Sequence, residues 1–159
     1  MTSSPPSLNP PRIEFLPAQR FIGLVERYEC SNLAGIPGQW KRFSEQAAAI
    51  TGIVDDAAFG VSFNDDNSGS FDYLAGVMVQ SDAAVPAGLV PVDLPARKYA
   101  AFRHDGNISE FHAVLAAIRA HGLSSAGLEP APEALIEKYG PEFDPASGGG
   151  GFEIWIAVK

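Results

Sequence analysis

The tripeptide Leu-Pro-Ala occurs twice, starting at Leu16 and at Leu94, and each copy opens a similar stretch: "LPAQRFIGLVER" in one half and "LPARKYAAFRHD" in the other. Internal duplication constrains the fold strongly, because two copies of one supersecondary unit must bury their apolar faces together. Each copy leads into a strand-like run, then a loop, then a helical pattern. In the first half Ile36, Trp40, Phe43, Ala47 and Ile50 recur at steps of three or four and mark one buried helical face. Pro37 suits the first turn and Gly52 follows the end. In the second half Ile108, Phe111, Leu115 and Ile118 repeat the pattern. Asn107 with Glu110 resembles a capping box, and Gly122 supplies a stop. The spacing predicts helices near 37–50 and 108–120.

Two further strands follow each helix. "FGVSF" and "FDYLAGVMV" are separated by the turn-rich "NDDNSGS". In the second half the region around "LIEKYG" is followed by "FEIWIAVK", with "PEFDPASGGGG" between them; "LIEKY" fits a strand or a short helix. The expected fold is α+β: duplicated βαββ units, about 12–80 and 90–159, form one domain over 12–159. Their antiparallel sheet carries two helices on one face, and a ligand groove is expected at the seam of the other.

Alternation along the last strand puts Phe152, Ile154, Ile156 and Val158 on the helix-covered face, with Glu153, Trp155 and Ala157 on the other. Glu153 and Trp155 are therefore expected in the groove. An ionised carboxylate among apolar residues is costly unless it meets a partner. Asp72 is the pseudo-symmetric partner of Glu153, although a register shift of one residue would put Tyr73 there instead. Phe21 and Tyr99 occupy matching positions in the first strands and suit cross-strand packing as well as ligand contact. Trp40 reads as core, and Tyr28 and Tyr139 are weaker cleft candidates.

Composition narrows the function. Nineteen acidic against eleven basic residues give a formal net charge of -8, with no Lys/Arg cluster to neutralise phosphates. Nucleic-acid binding is not expected, and cationic partners are favoured. The single cysteine, Cys30, suits a reducing cytoplasm. "MTSSPPSLNPP" has neither the basic nor the apolar region of a secretory signal and reads as a disordered lead-in over 1–11. No apolar run is long enough to span a bilayer. His104, His112 and His121 lack ligand spacing, so neither a metal nor another cofactor is expected. "GGGG" at Gly148 follows no strand and opens no helix, which excludes a phosphate cradle.

The stretches "LPARKYAAFRHDG", "FDYLAGV" and "FEIWIAVK" resemble the GyrI-like small-molecule-binding domain, which is also the effector-binding domain of AraC- and MerR-type multidrug-sensing regulators. The similarity runs from about Arg12 onward. It implies a duplicated βαββ fold with a cleft between its halves, and a last-strand glutamate that meets cationic or amphipathic ligands among aromatic rings. Glu153 matches that glutamate, with Trp155 beside it; Ala157 stands where the family commonly has proline. The regulators place a helix-turn-helix domain before this module. The module is expected to stand alone here, and direct DNA binding is not expected.

The leading expectation is binding of cationic or amphipathic aromatic compounds for sensing or sequestration, with Glu153 as charge partner and Trp155 as wall. The resemblance also implies an alternative, hydrolysis of electrophilic cyclopropane-containing compounds as in related stand-alone members, with Glu153 activating water. A third is a protein partner, as a topoisomerase inhibitor.

Overall fold

The computed structural model describes residues 8–66 and 68–159. Of the lead-in over 1–11, residues 1–7 lie outside the described residues. Within the rest, Leu8 packs against the core and the Asn9 side chain donates to the Arg103 carbonyl at 3.0 Å.

Eight strands form one antiparallel sheet: β1 (Arg12–Leu16), β2 (Gln19–Glu29), β3 (Ala58–Phe63), β4 (Ser70–Val79), β5 (Val90–Leu94), β6 (Arg97–His104), β7 (Pro130–Tyr139) and β8 (Phe152–Val158). Their spatial order is β1-β6-β8-β7-β3-β4-β2-β5. Each half thus gains a leading strand, β1 or β5, that its helical and alternating patterns do not announce. "LIEKY" is strand, the C-terminal half of β7, and is paired on both sides.

The two Leu-Pro-Ala segments are corners. Pro17-Ala18 joins β1 to β2, and Pro95-Ala96 joins β5 to β6. In a flat sheet β1 and β2 would lie about 29 Å apart, six strand spacings. Leu16 and Gln19 can be separated by only about 11 Å of chain. The sheet therefore curls until its edges approach each other. In consequence β1 pairs with β6 and β5 with β2, so each half lends its first strand to the other.

Curling closes the inner face around one core: Phe21, Phe59, Val61, Leu74, Met78, Tyr99, Ile136 and Trp155. Both helices pack outside. Helix α1 (Ile36–Gln46), extended by a short 3-10 turn, buries Phe43 against Ile22, Ala75 and Val79. Helix α2 (Phe111–Ala117) packs Val114, with Ile118 just beyond it, on Phe102, Phe152 and Ile154. These are the faces that the periodicity and the last-strand alternation predict.

The expected cap is present: the Asn107 side chain accepts from the Ser109 N–H at 2.9 Å, and Glu110 accepts from the Asn107 N–H at 3.1 Å. The expected stop at Gly122 is displaced. A π-helical turn, Ile118–Gly122, carries the helix on through Leu123–Ser125. It ends at Gly127, whose φ of 71° is left-handed. There Leu128 N–H donates to the Leu123 carbonyl and Gly127 N–H to that of Ser124, a Schellman ending. Gly122 serves packing instead, because a Cβ there would stand 2.9 Å from Leu8 Cδ1. No helix among the described residues is long and apolar enough to cross a membrane.

Candidate functional site

The expected groove on the face opposite the helices is filled, because the curl turns that face inward and packs it with aromatic side chains. The open cavity lies mainly on the helix-bearing side and also reaches Phe63, Val92, Leu94 and Ala134 of the inner core, about 1790 Å³ in all. Ile36, Pro37, Trp40, Lys41 and Ser44 of α1 form one wall. Ile108, Phe111, His112, Leu115 and Arg119, on α2 and its flanking turns, form the other. Tyr73 on β4 and Leu135, Glu137 and Tyr139 on β7 form the floor.

Glu137 is the chemical centre of that floor. Alternation along β7 turns Leu135, Glu137 and Tyr139 outward together, while Ile136 enters the inner core. The glutamate is only 8% exposed. Tyr73 donates its hydroxyl to Glu137 Oε1 at 3.0 Å, and Tyr139 donates to the same oxygen. Trp40 Nε1 in turn donates to the Tyr73 hydroxyl at 3.1 Å, so a directed chain runs Trp40, Tyr73, Glu137. Oε2 accepts no hydrogen bond from a described residue, and no described cationic side chain pairs with the carboxylate. Such a group is held by neutral donors and lacks a counter-ion.

Packing fixes this chain. Gly60 on β3 faces Glu137 directly across the β3–β7 ladder. A Cβ at residue 60 would stand 2.3 Å from the Tyr73 hydroxyl and 2.9 Å from Glu137 Oε1, so glycine makes the space for the pair. Gln39 is fully buried and donates to the Leu24 and Tyr73 carbonyls, both at 2.9 Å, which ties α1 to β2 and β4. Tyr28 donates to Gln39 Oε1 at 2.7 Å. Trp40, the next residue, is thereby held at a set height over the floor. It meets Tyr139 edge-on at 5.9 Å between centroids, and Phe143 lies 4.8 Å beyond Tyr139.

Burial pushes the Glu137 carboxyl above its ordinary value, and the hydrogen bonds from Tyr139 and Tyr73 oppose that rise. Burial, with the nearby Glu137 charge, pushes Tyr73 and Tyr139 well above the ordinary tyrosine range, so both remain neutral donors. Among the described residues no group of three or more His, Cys, Asp or Glu could hold a metal ion.

The sequence-predicted residues divide between the two faces. Tyr73 is in the cavity; Asp72 points the other way, held by Arg27 at 3.1 Å and Asn64 at 2.9 Å. The register pairs Phe21 with Met78 and Tyr99 with Ala157, which aligns Glu153 with Leu74 rather than with Asp72. Glu153 and Trp155 share a face as expected, but it is the inward one and does not line the cavity. Trp155 Nε1 and Arg12 each donate to Glu153 Oε1 at 2.9 Å, so that carboxylate has a counter-ion. Phe21 and Tyr99 are buried in the inner core, against Phe59 and Trp155 respectively. Trp40, read as core, is a cavity wall, and Tyr139 belongs to the floor. Glu137 was not singled out, although the alternation of Leu135, Glu137 and Tyr139 within "LIEKYG" carries the signal.

Known proteins share this architecture. BrlR, a transcriptional regulator of Pseudomonas aeruginosa, is 36% identical over 105 residues, covering 65% of this chain and 38% of BrlR. The chain thus corresponds to well under half of that regulator. SAV2435, solved bound to tetraphenylphosphonium, superposes with a TM-score of 0.69 at 20% identity over 94% of this chain and 93% of its own. The C-terminal domain of EcmrR gives a TM-score of 0.62 at 14% identity over 96% and 98%. Residues 9–159 match the GyrI-like small molecule binding domain, and with the curled sheet and the cavity between its helices the chain belongs to that family.

Proposed function

We propose that this chain binds lipophilic aromatic cations in the cavity between α1 and α2, with Glu137 as the charge partner and Trp40, Tyr139 and Phe143 as the aromatic surround. The observation that carries the reading is a buried carboxylate on an aromatic floor with no cationic partner among the described residues. A delocalised cation has little hydration to lose, and gains both the charge and the ring faces. The net charge of -8 favours its approach. Tetraphenylphosphonium, the compound bound to SAV2435, has this chemistry. Sensing or sequestration of such compounds is the biological role that follows.

The test is titration of tryptophan fluorescence with tetraphenylphosphonium on the wild type and on Glu137→Gln, with the compound recovered and weighed by mass spectrometry. Saturable quenching that the substitution weakens, with intact compound, supports a binding module. Altered compound would replace this reading with a hydrolase, and no quenching would remove it.

A further inference from the structure

The cavity sets a carboxylate at its floor against two cations on its facing walls. Its floor is the carboxylate of Glu137, and its middle layer is the half-buried pair Trp40 and Phe111. Its outer layer carries two exposed cations on opposite walls: Lys41, one position beyond Trp40 on α1, and Arg119, on the π-helical turn that continues α2. Helical geometry accounts for the layering. Lys41 follows Pro37 by one turn on the outer stripe of α1, while Trp40 follows Ile36 on the inner one. His112, Leu115 and Arg119 follow one another on the opposite stripe.

Neither Lys41 nor Arg119 has a carboxylate partner among the described residues. That contrasts with Arg12, Arg20, Arg27, Arg42 and Arg103, all of which are paired. The aspartates of the cavity margin, Asp56, Asp65 and Asp93, stand on loops and on the edge strand β5; none of them pairs with Lys41 or Arg119, and Asp93 is held by Arg20. An acidic chain that leaves two cations unpaired on the facing walls of one cavity offers them to whatever fills it.

We infer that the preferred ligands are bipolar: a flat aromatic cation that inserts toward Glu137 and carries, at its outer end, a carboxylate or another anionic group that Lys41 and Arg119 receive. This rests on the cation reading above and sharpens it. A purely cationic ligand would satisfy the floor and leave Lys41 and Arg119 without a partner. An amphoteric one satisfies both.

The experiment uses a matched dye pair, tetramethylrosamine and its carboxylate analogue tetramethylrhodamine, which share the cationic ring system. Binding to the whole chain is followed by fluorescence anisotropy at neutral pH. The carboxylate should strengthen binding by about three- to fivefold, the scale of one or two exposed ion pairs, and the advantage should shrink as salt is added. In the double variant Lys41→Ala/Arg119→Ala the ratio of the two affinities should fall to about one. Both positions are exposed, and a thermal melt confirms folding.

Equal or weaker binding of the carboxylate dye, with tetramethylrosamine still bound, would overturn this inference and leave the cation reading standing. An advantage that survives the double variant would overturn it as well. If neither dye binds, both readings fall.

Discussion

Gly60 and Glu137 stand opposite each other in the central β3–β7 ladder, and the side chain that the glycine lacks leaves the space in which Tyr73 reaches the carboxylate. The site is therefore built by a missing group as much as by those present. It lies where the two halves meet.

Substituting Gly60→Ala should displace the Tyr73 hydroxyl, because the added methyl would come within 2.3 Å of it. A loss of about 1–3 kcal/mol in stability is expected, as for other overpacked interiors. Chemical denaturation gives the stability and a tetraphenylphosphonium titration gives the affinity; both should fall together. A neutral result would mean that Tyr73 is not held as described.

Glu137→Gln keeps the shape and removes the charge. Affinity for tetraphenylphosphonium should drop about tenfold, or ~1.4 kcal/mol. Stability should hold or rise, since a buried carboxylate without a counter-ion is costly. Glu153→Gln should do the reverse: it weakens the contact with Arg12 and leaves ligand affinity near the wild-type value. Titrating the two variants side by side decides which carboxylate serves the ligand.

Tyr73→Phe removes one of the two donors to Glu137 Oε1 and the acceptor of Trp40 Nε1. The expected cost is about 1–3 kcal/mol, the range for leaving buried polar groups unpaired. Loss of that donor also raises the Glu137 carboxyl further, so ligand binding should need a higher pH than in the wild type. Binding curves across pH measure this displacement directly.

The pH dependence has two opposite signs. Burial raises the Glu137 carboxyl above its unfolded value of 4.5. Its contribution to stability is therefore fully present below that value and is lost as pH rises through the folded-state pKa. Cation affinity increases over the same interval, as the carboxylate ionises. Thermal melts and titrations from pH 4 upward should show the two trends crossing, and Glu137→Gln should flatten both.

Quenching by an aromatic cation should come from Trp40, which lines the cavity, and not from Trp155, which is 6% exposed in the inner core. Trp40→Phe should abolish most of the ligand-dependent signal, while Trp155→Phe should retain it. The opposite pattern in fluorescence would place the ligand on the other side of the sheet.

The repeat, the helical faces of Ile36–Phe43 and Phe111–Ile118, the Asn107 cap and the alternation of the last strand were all legible, because each is written in local spacing. Alternation gives two faces but does not say which one the chain will enclose. That depends on β1 and β5 pairing with strands far away in sequence, through links too short to allow a flat sheet. Glu153 and Glu137 look alike in sequence, each preceded by an apolar residue and followed two positions later by an aromatic one. What separates them is the long-range presence of Arg12 beside one and its absence beside the other. Trp40 looked like core because a cavity wall and a core position share the same helical spacing.

The exchange of leading strands has a consequence for selectivity. With β1 locked into the second half and β5 into the first, the two helices ride on a single interlaced frame, and hinging the halves apart would mean breaking backbone ladders at both corners. On this frame the distance between the walls is expected to vary little. On the binding reading proposed above, guests of different thickness would be met by rotation of side chains such as Trp40, Phe111 and Phe143 rather than by movement of the walls.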